Sequence, residues 1–236
     1  MPTLAAAGDD AERAPLGPLT GARADRDSDL FWAAPATGAH ELVEGGVEGW
    51  RERMRHHREA ACLHLTTTAA ATLAPAAQLY ALPFVPAAIA RERERFGAYA
   101  TRTLGGNLLA DLLQEEVRRR ERVVAIDPEA VLLAAFAGRV PYQLMLVPRT
   151  ARMRFEDDGP SGEGLLEDAL ARLARRLDGT EVELWVRTAP QGAEYYCWRI
   201  DIAPRLEPPS GGLERGTGVA VNPVAPELAA AELREL

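Results

Sequence analysis

Apolar positions along this chain recur with two different periods, and the switches between them mark out short strands and amphipathic helices. His40-Glu41-Leu42-Val43-Glu44 reads as a strand after the turn at Gly38, and Gly45-Gly46 break it. The spacing from Val47 to Arg58 predicts a helix carrying Trp50 and Met54 one turn apart. Cys62 to Leu65 and Gln78 to Leu82 read as strands. Pro83 and Pro86 then open a charged helix from Ala87. Gly105-Gly106 interrupt that helix, which resumes through Arg120 with Leu108, Leu109, Leu112, Leu113 and Val117 on its apolar side.

The second half repeats this plan. Val123 to Ile126, Val131 to Phe136 and Tyr142 to Val147 read as strands. Leu165, Leu166, Ala169, Leu170, Leu173 and Leu177 at helical spacing predict a helix over 162–177, with Ser161 as its N-cap and Gly179 beyond its end. Val182, Leu184 and Val186 alternate in a strand, as do Trp198, Ile200 and Ile202, and a short helix runs from Pro226 to the end. Strand–helix–strand–strand units occurring twice point to an internal duplication and an α+β fold, antiparallel sheets covered by helices. Residues 1–29 show no sustained periodicity and are expected to form a disordered or loosely packed leader, before a first half over 30–121 and a second over 122–236.

Composition narrows the function classes. The 236 residues suffice for a sizeable core, and 47% hydrophobic with 26% charged residues is ordinary for a globular chain. A net charge of −8 argues against a general nucleic-acid binder. All the side-chain positive charge is arginine, so neither a lysine Schiff base nor a P-loop lysine is available. Cys62 and Cys197 give neither a disulfide framework nor a Cys-x-x-Cys metal clip. With no apolar run long enough to span a bilayer and no secretory leader, a cytoplasmic protein with no membrane or nucleic-acid partner is expected.

One segment carries chemical information by what it lacks. Ala74-Pro75-Ala76-Ala77-Gln78, within a small-residue run and followed by Pro83 and Pro86, resembles the active-site segment of galactose-1-phosphate uridylyltransferases, members of the histidine-triad superfamily. In that segment a His-Pro-His-x-Gln motif stands where this chain has Ala74, Pro75, Ala76 and Gln78. The likeness extends from His40 to Leu236. It is carried by Gly38 to Glu44, Pro141 to Arg149 with Phe155-Glu156-Asp157, Ile200 to Leu206, Gly216-Thr217-Gly218, Asn222-Pro223 and Pro226 to Ala230. The resemblance implies two fused histidine-triad-like halves, and a dimer in which one subunit's C-terminal segment completes the other's site.

It also implies what the chain has given up. Members transfer a nucleoside monophosphate through a covalent phosphohistidine, and the second histidine of the motif is the nucleophile. Ala76 stands at that position and Ala74 at the flanking one, and an alanine methyl has no lone pair to attack phosphorus. Gln78 remains, with an implied hydrogen-bonding role toward phosphoryl oxygens. A metal site in some members maps onto Arg187, Cys197 and Arg199, with Glu92 the only retained ligand-like residue. Two arginines beside one carboxylate would repel a cation and are expected to form a salt-bridged cluster with it. No metal and no cofactor is therefore expected.

The resulting expectation is a catalytically inactive relative that keeps a nucleotide or sugar-phosphate cleft, with Gln78, Arg187 and Arg199 as binding residues. It would act as a binding, regulatory or partner subunit, as a homodimer or beside an active relative. The alternative is an enzyme of altered nucleotidyl- or phosphoryl-transfer chemistry using another group. Cys197 beside Arg199 and His64 on the strand before the motif are the residues to weigh for it, against a buried thiol and a packed imidazole. His56 and His57 on an arginine-rich helix, and the alternating charges of Arg91 to Arg95 and Arg118 to Arg122, read as solvated faces. Gly216-Thr217-Gly218 reads as a turn.

Overall fold

Residues 24–25, 30–31, 39–157, 159–206 and 211–236 are described in the computed structural model of the chain. The first half holds β1 (Ala24–Asp25), β2 (Leu30–Phe31), β3 (Ala39–Glu44), α1 (Gly46–His56), β4 (Cys62–Ala69), β5 (Ala76–Leu82), α2 (Ala87–Thr103) and α3 (Leu108–Arg119). There follow β6 (Val123–Ile126), β7 (Ala130–Ala134), β8 (Leu144–Pro148), α4 (Glu163–Arg176), β9 (Val182–Arg187), β10 (Arg199–Pro204), α5 (Gly211–Thr217) and α6 (Pro226–Arg234). β1 and β2 pair only with each other, and the rest of the expected leader lies outside the described residues.

The other eight strands form one antiparallel sheet in the order β3-β5-β4-β9-β10-β8-β7-β6. A unit repeats within it. β3-α1-β4-β5 lays its strands down as first, third, second, and β8-α4-β9-β10 does the same from the opposite direction. The expected sheet of each half is thus present, and the two are joined through their second strands, β4 and β9, from Leu65↔Val186 to Ala69↔Val182.

Alternation decides the two faces. Val43, Leu65, Ala77, Leu79, Leu184, Val186, Ile200, Ile202, Leu146 and Leu132 all point to one side and are buried. α1 covers that side with Val47, Trp50 and Met54, α4 with Leu165, Leu166, Ala169, Leu170 and Leu173, and α6 with Ala229, Ala230 and Leu233. Burying a side chain of leucine size contributes about 1.5–3 kcal/mol, so this face dominates stability. On the opposite side α2 and α3 cover only the second-half strands, packing Phe96, Leu109 and Leu113 on Val123, Val131, Leu133 and Val147. Across β5, β4 and part of β9 that second side bears polar residues in place of this packing.

Three local details depart from the sequence reading. Ser161 is not the N-cap of α4; Gly162 is, at φ 70°, and the Glu129 carboxylate accepts from the backbone N–H groups of Ser161 and Gly162 at 3.3 and 3.0 Å. The strand expected from Tyr142 starts at Leu144, because Tyr142 sits at φ 58° with its hydroxyl donating to Glu232 at 2.5 Å. Strand β4 continues past Leu65 through the β-branched Thr66, Thr67 and Thr68 to reach its partner β9. The helix α5 carried no sequence signal.

Candidate functional site

The polar side of the sheet is laid out in rows fixed by strand register. Gln78 pairs with Thr66, Thr66 with Trp185, and Trp185 with Asp201, so these four residues cross the sheet side by side. At about 4.8 Å per strand, Gln78 and Asp201 stand about 14 Å apart. The neighbouring row holds His40, Tyr80 and His64, then Arg187 and Arg199. Ala77 and Leu79 face the core, fully buried, so Ala76, Gln78 and Tyr80 face the other way. The Tyr80 hydroxyl donates to Gln78 Oε1 at 2.6 Å, which orients the amide and leaves its nitrogen free of partners among the described residues.

The sequence-chosen charges meet in one cluster. Arg199 donates to Glu92, reaching from α2, and its Nε donates to Asp201 Oδ1 at 3.1 Å. Arg187 Nε lies 3.5 Å from the other Asp201 oxygen. Asp201 is therefore the hub that sequence reasoning missed, although its place two residues after Arg199 on a strand was a usable signal. Arg199 and Glu92 are both more than four-fifths buried, and the two carboxylates raise the Arg199 pKa against the opposing effect of burial. These residues do not fit a cation. Two guanidiniums occupy the positions, and among the described residues no three His, Cys, Asp or Glu side chains converge as a metal would require.

Other groups singled out in the sequence resolve individually. Cys197 is fully buried beneath α2 and α3, and burial pushes its thiol up to about 11 despite the backbone of Arg152 and the charge of Arg199. Cys62 is raised to about 11 for the same reason. Neither is a thiolate at neutral pH. His64 is on the polar side, and burial, reinforced by the Arg187 charge, lowers its imidazole to about 4. His57 is not merely solvated: it lies 2.8 Å from Glu41, which also binds Arg53. His40 is buried and stacks on Tyr80 with ring centroids 4.5 Å apart. Arg118 and Arg119 pair with Glu115 on a solvated face, but neither run is wholly solvated: Arg122 is largely buried between Glu116 and Glu227, and Glu92 turns inward to Arg199. Gly216-Thr217-Gly218 closes α5, where the Thr217 hydroxyl donates to the Leu213 carbonyl at 2.7 Å.

Beside the Ala76 row the polar side deepens into a cleft of about 540 Å³. Trp185 and Glu183 from β9, Ala203 from β10, Gln143 and Arg139 from the β7–β8 connection, and Glu214 from α5 line it. Arg139 donates to Glu214 at 2.6 Å across its mouth. Asn222 ties the segment after α5 to the same connection through the carbonyls of Gly138 and Val140. Nothing in the local sequence announced this cleft, because its walls come from segments far apart in the chain.

No protein-family model matches the chain. In sequence it is 29% identical over 168 residues to an ADP-glucose phosphorylase of Arabidopsis thaliana, covering 67% of this chain and 46% of that protein. The chain thus spans less than half the length of this relative. In fold it is similar to the crystal structure of an ADP-glucose phosphorylase from the same plant with bound ADP-glucose, at a TM-score of 0.72 and 21% identity over 86% of this chain and 75% of the other. A uridylyltransferase structure matches equally well, at a TM-score of 0.72 and 17% identity over 88% and 78%. Among the described residues no helix is long and apolar enough to cross a membrane. The chain thus has the fold of these ADP-glucose phosphorylase and uridylyltransferase structures, and over two thirds of its length it is similar in sequence to an ADP-glucose phosphorylase.

Proposed function

We propose that this chain binds a nucleotide sugar or sugar phosphate on the polar side of its sheet and does not transfer the nucleotide. The supporting observation is the face of β5. Ala76, at the position of the family nucleophile, shares that face with Gln78 and Tyr80, and a methyl group there cannot form a phosphoryl bond. Among the described residues no other group is placed to take over. The two thiols are held protonated by burial, and His64 is on β4 in the row of Tyr80, one row away from Gln78. The polar row and its cleft nevertheless persist, which suits a binding, regulatory or partner subunit, paired with its own copy or with an active relative. Its halves divide between residues 121 and 122. Gln78 offers its free amide nitrogen and Arg187 its guanidinium, while Arg199 is largely committed to Glu92 and Asp201.

Thermal denaturation with ADP-glucose, UDP-glucose and glucose 1-phosphate tests the reading, because a ligand that binds only the folded state raises its stability. At a concentration of 100 Kd the gain is about 2.7 kcal/mol. No shift with any of the three would sink the binding role. Intact-mass measurement after incubation with each nucleotide sugar is expected to show unmodified protein, and a nucleotidyl adduct would overturn the inactive assignment.

A further inference from the structure

The walls of the cleft on the polar side define what it can hold. Trp185, half-buried on β9, faces into it. Its indole nitrogen is enclosed and without a partner, so the part of the ring left open to the cleft is carbon surface. Ala203, on the neighbouring strand and paired with Glu183, extends that apolar floor. Polar groups stand around it. Glu183, exposed and two residues before Trp185 on the same face, makes no ion pair among the described residues. Gln143 Oε1 accepts from the Arg139 backbone N–H at 2.7 Å, which fixes the amide and leaves its nitrogen without a partner among the described residues. Arg139 and Glu214 complete the enclosure by pairing with each other.

We propose that this cleft takes the sugar ring of the bound ligand, stacked on Trp185 with its hydroxyls between Glu183 and Gln143; the assignment rests on the binding role proposed above. Charge selects the neutral part of such a ligand. Arg139 and Arg205 balance Glu183 and Glu214 in the cleft, and Arg205 is itself paired with Glu181, so the walls exert no net pull on a phosphate. A hydroxyl both donates and accepts, so a sugar can use the Glu183 carboxylate and the Gln143 amide N–H together. Its C–H face packs on an indole as apolar surface. The volume of about 540 Å³ is within the range of about 300–1,000 Å³ that small-molecule sites occupy. Position agrees with this. Trp185 lies two strands from Gln78 in one row, about 10 Å away, and Ala76 and Glu183 stand two residues along on the same side of that row. A sugar in the cleft therefore leaves its phosphate the space beside Gln78 and Ala76.

Calorimetric titration of the full-length chain with ADP, ADP-glucose, UDP and UDP-glucose reads the sugar's share of affinity as the ratio of Kd without and with glucose. At least one pair is expected to favour the sugar nucleotide by about five- to tenfold in the wild type. Trp185→Leu and Glu183→Gln should bring that ratio toward one and leave the affinity for the nucleoside diphosphate unchanged. Trp185→Phe, which keeps a stacking ring, should retain most of the ratio. Glucose 1-phosphate, which has no base, should lose affinity in Trp185→Leu and Glu183→Gln. Glu183 is exposed, so its variant carries the test even where Trp185→Leu does not fold. A wild-type ratio of one, or a ratio undiminished in the folded variants, overturns the assignment and leaves the binding role intact. Weakened nucleoside diphosphate binding in Trp185→Leu with the ratio kept puts the base in the cleft and overturns it equally. Absence of binding by all five compounds overturns it together with the binding role.

Discussion

Acidification should destabilise this fold through one imidazole. His64 has an ordinary pKa of 6.5 and is lowered to about 4 by burial on the polar side, beside the Arg187 charge and the Tyr80 ring 6.1 Å away. Its folded pKa lies below the unfolded one, so between pH 6.5 and 4 the unfolded chain takes up the proton first. The stabilising contribution is therefore complete above pH 6.5 and is lost as pH falls toward 4. A difference of about 2.5 pKa units corresponds to about 3.4 kcal/mol at the acid limit, and to about 2 kcal/mol already at pH 5. Carboxylates also protonate in this range, so the informative quantity is the difference between the wild type and His64→Gln. Urea titrations at half-unit steps from pH 7.5 to 5 should give a wild-type profile steeper by about 2 kcal/mol than that of the variant. Parallel profiles would refute the assignment, and so would an NMR titration of the His64 ring with a midpoint near 6.5. Either result would mean that the imidazole is better solvated than its row-mates indicate, and that Arg187 has a titrating neighbour near neutral pH.

Two further perturbations probe the frame. Arg199→Met leaves Glu92 and Asp201 partly buried, with only Arg187 near one of them, and is expected to cost about 3–5 kcal/mol. That is a fall in Tm of about 6–20 °C by calorimetry, whereas Glu92→Gln keeps the Arg199–Asp201 pair and should cost less; equal losses would contradict a cluster in which Arg199 joins both carboxylates. Gly162→Ala places a Cβ 2.6 Å from Leu146 Cδ2 at a φ of 70°, so overpacking and left-handed strain together predict a loss of about 2–4 kcal/mol in urea unfolding. An unchanged midpoint would mean that the start of α4 can shift away from β8.

How far the site was legible depends on the distance over which each of its parts is determined. Alternation in β9 and β10 was readable because Val182, Leu184, Val186, Ile200 and Ile202 all answer to one local rule, burial on the core face. The same rule exposed Ala76 and Gln78 to the opposite side. The cap of α4 was misread because its acceptor, Glu129, comes from more than thirty residues away, which no local pattern of Ser161 reveals. The joining of the two units was hidden for a stronger version of that reason: β4 pairs with β9 across more than a hundred residues. That pairing matters most, because it brings the third strand of each unit onto one face in a common register. On this face β5 carries Ala76 and Gln78, and β10 carries Arg199 and Asp201, which with Glu92 largely satisfy one another. Nearer the seam, Gln78, Trp185 and Arg187 keep unspent hydrogen-bonding capacity. On the binding role proposed above, a ligand would lie across the joint between the two units, where each unit alone presents a bare sheet edge.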